Sequence, residues 1–369
     1  MGTKKITLAF MGDIMPGGVL EYAKCENDFA SQSIIKLLNK ADFRIATLES
    51  AIGENLEFDK EKMEREDWRN IIYSHNHSLK KLEQLNINLV SVANNHIFDL
   101  GEDGLRNTLT QLEKKQIKYV GANLNDFSTQ YPTIIKIHNK TIAFLAYMPH
   151  WWEAPHPPSK DKPGINLFYL EKVISDVKAA KQKYDFVFVL PHWGIEYTFF
   201  PTERERLFAK LIIDAGADGI FGSHTHQIQP IIKRHGKPIC FSLGNFLFPD
   251  FYIQPTRPIW YPTTKELDNI EMQNSYNYPE YTNIYLKRIW KKINRIGMIV
   301  FVTIKEDNNI NTSYKLSYLD SSNKLIVLKR SWQLKLLLKI IGYALHMGSY
   351  KYIYIVIKKL HSFFNINNK

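Results

Sequence analysis

Apolar residues in this chain come in short runs, and polar residues of a restricted kind stand where the runs stop. The run over 6–11 ends at Gly12-Asp13 and the run over 43–48 ends at Glu49. The run over 87–92 leads into Ala93-Asn94-Asn95-His96 with Asp99 close behind. The run over 185–190 leads into Pro191-His192-Trp193, and the one over 218–221 into Gly222-Ser223-His224-Thr225-His226. Runs this short, bounded by Gly, Asn and Pro, predict buried strands. Segments over 31–39, 102–115, 170–183 and 202–215 predict helices, with Leu105, Leu109 and Leu112 along one face of the second. Strand and helix therefore alternate, as in an α/β protein whose strand ends carry the chemistry.

The rest of the pattern is plainer. Two hairpins are predicted, over 133–137 with 141–147 and over 228–234 with 237–243, and a further strand pair over 297–305 and 312–319 returns to the main sheet. The strongly charged segment over 57–70 reads as a surface insertion. Residues 249–296, rich in Pro, Tyr and Asn with little periodicity, read as an irregular insertion or lid. The expected organisation is one domain over 1–320, followed by basic amphipathic helices over 331–369.

Composition adds constraints. With 44% hydrophobic and 23% charged residues among 369, the chain has the make-up of an ordinary folded protein. Of the net charge of +11, residues 331–369 contribute six lysines and no acid. A second basic cluster, Lys287, Arg288, Lys291, Lys292 and Arg295, precedes the last strand pair. The tail either packs on the domain or lies on an anionic membrane surface. Its longest lysine-free stretch, 340–350, is too short for a bilayer span, which needs about 20 apolar residues. No basic stripe interleaved with aromatics falls on the strand-end loops, so no nucleic-acid partner is expected. Cys25 and Cys240 form neither a disulfide framework nor a zinc ribbon pattern. The first run begins at residue 6, which leaves no room for a signal peptide, and a cytoplasmic protein, peripheral at most to the membrane, is the expectation.

Asp13, Glu49, Asn95, His192, His224 and His226 mix oxygen and nitrogen donors, a set suited to divalent Mn, Fe or Zn rather than to calcium. A carboxylate shared between two ions would hold them about 3.5–4 Å apart, the spacing used in phosphoryl chemistry, where such a pair activates water and clamps ester oxygens. His96, beside Asn95 and not needed as a ligand, is placed to protonate a leaving group.

The order of these motifs resembles the CapA family of capsule and poly-γ-glutamate synthesis (the PgsA type), whose domain looks like a branch of the calcineurin-like metallophosphoesterases. The resemblance covers roughly 5–305. It rests on Gly12-Asp13-Ile14-Met15, Leu48-Glu49, Asn94-Asn95-His96 with Asp99 and Gly101, and His192-Trp193-Gly194 with Glu196-Tyr197. Gly222-Ser223-His224-Thr225-His226 with Gln229-Pro230, and Ser242-Leu243-Gly244-Asn245-Phe246, complete it. It implies a four-layer αββα sandwich with one or two divalent ions. Asp13, Glu49 and His226 would hold one; Glu49, Asn95, His192 and His224 would hold the other. His96 and Asp99 become the catalytic candidates, and Asn94, Trp193, Glu196, Tyr197 and Asn245 the substrate-binding ones. Met15 departs from the wider pattern, standing where phosphoesterases place a histidine; thioether is a poor ligand for these ions, so a weak first site or a mononuclear centre is expected.

Two functions follow. One is a metal-dependent, phosphoesterase-like hydrolase acting on an anionic polymer or a phosphate-bearing intermediate of capsule, exopolysaccharide or poly-γ-glutamate synthesis. The other is a non-catalytic accessory subunit of a membrane synthase or export complex.

Overall fold

The computed structural model describes residues 5–22, 28–54, 71–124, 132–151, 163–254, 259–276, 284–329 and 331–346. Its first sheet runs Leu325–Val327, Ile310–Leu319, Ile296–Ile304, Ile6–Ile14, Phe43–Leu48, Leu89–Ser91, Lys118–Val120, with Asn245–Leu247 also pairing on Ile6–Ile14. The four strands from Ile6–Ile14 onward are parallel to one another, while the other three of that order join antiparallel. The second sheet runs Leu167–Phe168, Lys140–Pro149, Phe186–Trp193, Gly219–Phe221, Lys237–Cys240, Ile231–Arg234, and Ser223–His224 pairs on Phe186–Trp193.

Strand Lys140–Pro149 shows how the layers form. Successive side chains point to opposite faces, and this strand is apolar on both. Ile142, Phe144, Ala146 and Met148 join the core that includes first-sheet residues, whereas Ala143, Leu145 and Tyr147 join a second core under helices Leu170–Lys181 and Glu203–Asp214. Between the sheets, Phe10 stacks on Phe221 with ring centroids 3.6 Å apart and meets Phe188 edge-on at 5.3 Å. Helix Gly101–Lys114 covers the first sheet through Leu105, Leu109 and Leu112. The result is helix, sheet, sheet, helix: the expected four-layer sandwich.

Three features differ from the pattern reading or sharpen it. Residues 249–296 are not irregular throughout: Ile259–Trp260, Phe251–Ile253, Tyr285–Arg288 and Met272–Ser275 form a small sheet. Strands of two to four residues are too short to show a period, so the sequence concealed them. Arg288 and Arg295, two members of the basic cluster, are buried. Arg288 donates to the Tyr276 and Ile289 carbonyls, and Arg295 Nη2 donates to both Asp250 carboxylate oxygens at 2.5 and 2.6 Å. Helix Trp332–His346 packs on strand Ile231–Arg234, with Leu338, Ile341 and Leu345 turned inward. The segment over 57–70 and the tail beyond 346 lie outside the described residues. No helix among the described residues is long and apolar enough to cross a membrane.

Candidate metal centre

The candidate ligands converge because the parallel strands end together. Strand Ile6–Ile14 runs past its apolar stretch, and Asp13 stands in register with Thr47 on one side and Asn245 on the other. Gly12 is required there: a Cβ would lie 1.7 Å from the Gly244 carbonyl oxygen, which accepts the Asp13 amide at 2.9 Å. Strand Phe186–Trp193 likewise extends through His192, which pairs with Ser223 across a parallel bridge. Gly222 allows that approach, since its Cβ would sit 1.9 Å from the Phe241 carbonyl oxygen. His224 and His226 both adopt positive φ, +92° and +51°, conformations unfavourable for any residue but glycine and held here by the surrounding contacts.

Two triads result. The donor atoms of Glu49, His192 and His224 lie within 4.8 Å of one another, and so do those of Asp13, Glu49 and His226. Glu49 belongs to both. Asn95 joins the first triad, its Oδ1 standing 2.8 Å from His192 Nε2. That separation is close to the roughly 3 Å between neighbouring donors in a shell of about 2.1 Å metal–ligand bonds.

The polar accounting fits a cation. Asp13, Glu49, His192 and His226 are fully buried. No well-formed hydrogen bond from the described residues reaches Asp13 Oδ1, either Glu49 oxygen or His226 Nε2. Buried groups of this kind normally find partners, and four orphaned atoms aimed at one small volume are what ligands look like without their ion. Burial and the nearby Glu49 charge hold the Asp13 carboxyl well above its usual range, and burial pushes Glu49 up to about 7. Two carboxylates in such a place need positive charge to ionise together. Burial, helped by neighbouring histidines, drives His192 and His224 well below the usual imidazole range, which leaves the neutral ring that metals bind.

A second layer sets the tautomers. His226 Nδ1 donates to Asn245 Oδ1 at 2.8 Å, directing Nε2 toward Glu49. Asn245 Nδ2 in turn donates to the Asn294 carbonyl at 2.9 Å, and Asn294 Nδ2 donates to the His226 carbonyl at 3.1 Å. The loop is closed: one asparagine fixes the ring, the other fixes the strained backbone. His192 Nδ1 lies 2.8 Å from Ser223 Oγ, which accepts from Thr47 at 3.2 Å. Ser223 sat in the histidine motif and could have been noticed there; Asn294 carried no sequence signal.

The remaining candidates sort themselves by geometry. His96 is buried, with Nδ1 2.6 Å from Asp99 Oδ2, and Asp99 also accepts the Ile72 amide. Burial works against a charged His96, but Asp99 outweighs it and the ring titrates above its ordinary value. Asn94 donates to the Leu48 carbonyl and accepts the His96 amide, tying the end of strand Phe43–Leu48 to the loop that carries His96. Trp193 is elsewhere, buried against Phe168 on the helix side of the second sheet with its ring nitrogen on the Phe241 carbonyl. Asn245 is engaged with His226 and the Asn294 carbonyl. Glu196, half-buried, is held below its usual range, the attraction of His226 and a hydrogen bond from Tyr197 outweighing burial. Tyr197, at φ +61°, lays its exposed ring over His226. Met15 is fully buried in an apolar cluster with Ala51, Phe248 and Phe251, so it packs and does not ligate.

The PGA biosynthesis protein CapA of Bacillus subtilis (strain 168) is 31% identical over 245 residues, 66% of this chain and 63% of that protein. The capsule biosynthesis protein CapA of Bacillus anthracis is 28% identical over 251 residues, covering 66% and 60%. The chain thus spans less than two thirds of the length of these relatives. The NAD nucleotidase of Haemophilus influenzae is similar over 89% of this chain and 54% of its own, at 12% identity and a TM-score of 0.45, too distant to inform the site. The profile of one protein family, the bacterial capsule synthesis protein PGA_cap, matches residues 7–250, about two thirds of the chain, which therefore belongs to that family.

Proposed function

We propose that this chain is a divalent-metal-dependent hydrolase, phosphoesterase-like in its chemistry, serving the synthesis of a capsule or of poly-γ-glutamate. The observation that carries the reading is the pair of buried triads sharing Glu49, with orphaned oxygen and nitrogen atoms directed into one volume. When divalent ions are bound, such a centre supplies Lewis-acid activation of water and neutralisation of phosphoryl oxygens. The chain's own residues do the rest. Asp13, Glu49, Asn95, His192, His224 and His226 hold the ions, Mn, Fe or Zn by donor type. His96, held by its hydrogen bond to Asp99, donates a proton to the departing oxygen of a phosphate- or carboxylate-bearing intermediate. Tyr197, whose ring lies over His226, and Glu196 beside it contact what enters.

A second reading, a non-catalytic accessory subunit of a synthase or export complex, draws on Met15. With Met15 in the apolar cluster, the Asp13 triad has three protein donors, and that site binds more weakly than its neighbour. The test is hydrolysis of phosphodiesters and phosphomonoesters with alkyl leaving groups, whose departing oxygen needs a proton, with Mn, Fe or Zn supplied. The hydrolase reading predicts turnover that falls at least about 100-fold in His96→Asn, in the range of lost general acid catalysis, and disappears in His192→Ala. Turnover unchanged in His192→Ala would contradict it, and absence of turnover in a fully metal-loaded protein would favour the accessory reading.

A further inference from the structure

Helix Trp332–His346 has two apolar faces, and the fold uses one of them. Leu338, Ile341 and Leu345 are buried, the last two packing with Phe200 and Leu337. Gly342 lies so close to the second sheet that a Cβ would sit 3.3 Å from the Ile231 carbonyl oxygen, and Arg206 donates to the Leu345 carbonyl at 3.3 Å. The helix is therefore pinned. On its other side Trp332, Leu336, Ile340 and Tyr343 are 68%, 50%, 45% and 68% exposed. Their spacing of four, four and three residues places them within about 80° of arc, a single line along the helix. Lys335 and Lys339 border that line; Lys339 is exposed and Lys335 half-buried, its ammonium over the Tyr314 ring.

We infer that this line is the docking surface for a lipid bilayer carrying anionic headgroups, with the helix lying in the plane of the interface. Three observations select lipid. An aromatic residue closes each end of the stripe, as residues at the water–hydrocarbon boundary do. Lys335 and Lys339 line one side of it, and residues 331–369 hold six lysines and no acid. A second copy of this chain would bring Lys335 and Lys339 against their own counterparts, which like charge opposes, whereas anionic headgroups welcome them. The opposite helix face is anchored to the domain, so docking brings the whole sandwich to the membrane without unfolding anything.

Vesicle co-sedimentation of the full chain tests this, comparing phosphatidylcholine with phosphatidylcholine–phosphatidylglycerol mixtures. The wild type sediments with the anionic vesicles and stays in solution with the neutral ones. Trp332→Ser/Leu336→Ser/Ile340→Ser loses that partition while its circular dichroism stays native. Lys335→Gln/Lys339→Gln, which leaves the apolar line intact, weakens it by about fivefold per lysine and removes part of its salt sensitivity. Equal binding to neutral vesicles, no binding to anionic ones, or undiminished binding by the folded serine variant would overturn the inference. A wild-type dimer that the serine substitutions convert to monomer would also overturn it, assigning the stripe to a second copy.

Discussion

Asn294 lies outside the matched family segment and in no recognisable motif, yet it closes the hydrogen-bond ring that holds His226. Outer partners of metal-ligating histidines typically contribute 10–100-fold in affinity. Asn294→Ala is expected to weaken binding at the Asp13 triad by about tenfold, read in competition with a chelator, while leaving the His192 triad intact; unchanged affinity at both would show that the ring is incidental. His192, Glu49 and Asp13 were legible as single residues because an isolated polar group at the end of an apolar run is itself a signal. Trp193 stood in the same motif as His192 and lies elsewhere for a physical reason. Residues adjacent on a strand face opposite sides, so the neighbour of His192 points into the second core and not into the site.

Elements away from the centre carry their own charge pairs. Glu21 accepts from the His75 and Ser78 side chains and the His75 amide, tying the turn Gly18–Glu21 to the turn Asn76–Leu79. Burial alone would raise Glu21 and lower His75; their pairing reverses both, so Glu21 titrates below 4.5 and His75 above 6.5. The depressed Glu21 contributes stability that is present above 4.5 and lost as pH falls through its folded value. The raised His75 contributes stability that is present below 6.5 and lost as pH rises through its folded value. The urea midpoint difference between wild type and His75→Ala should therefore be largest near pH 5.5 and smaller at pH 9; a difference independent of pH would contradict the pairing. The small sheet depends on a deeper pair. Arg295 and Asp250, each 5% exposed, are joined by Asn323, which donates to Asp250 Oδ2 at 3.2 Å, and Asp250 also accepts the Trp290 amide. Arg295→Ala strands a buried carboxylate and is expected to cost about 3–5 kcal/mol in chemical denaturation, whereas a loss under 1 kcal/mol would mean that water replaces the guanidinium.

Across the whole molecule, the alternation of strand and helix and the convergence of strand ends could be read from the chain, because burial of parallel strands imposes continuous apolar runs. The small sheet could not, since its short strands lack a period, and neither could the inward turn of Arg288 and Arg295, since charge in a sequence says nothing of which side chains find buried partners. The stripe on helix Trp332–His346 was hidden for the opposite reason: both faces are apolar, and composition does not say which one the fold covers. What unites site, core and motif is the claim that the Glu49-centred cluster of donors holds divalent metal. Elemental mass spectrometry on protein purified without added metal or chelator, beside His192→Ala prepared identically, tests it most directly. The account predicts about one to two equivalents of Mn, Fe or Zn per chain, reduced in the variant. A wild type that carries no metal and takes up none on reconstitution with each ion would contradict it.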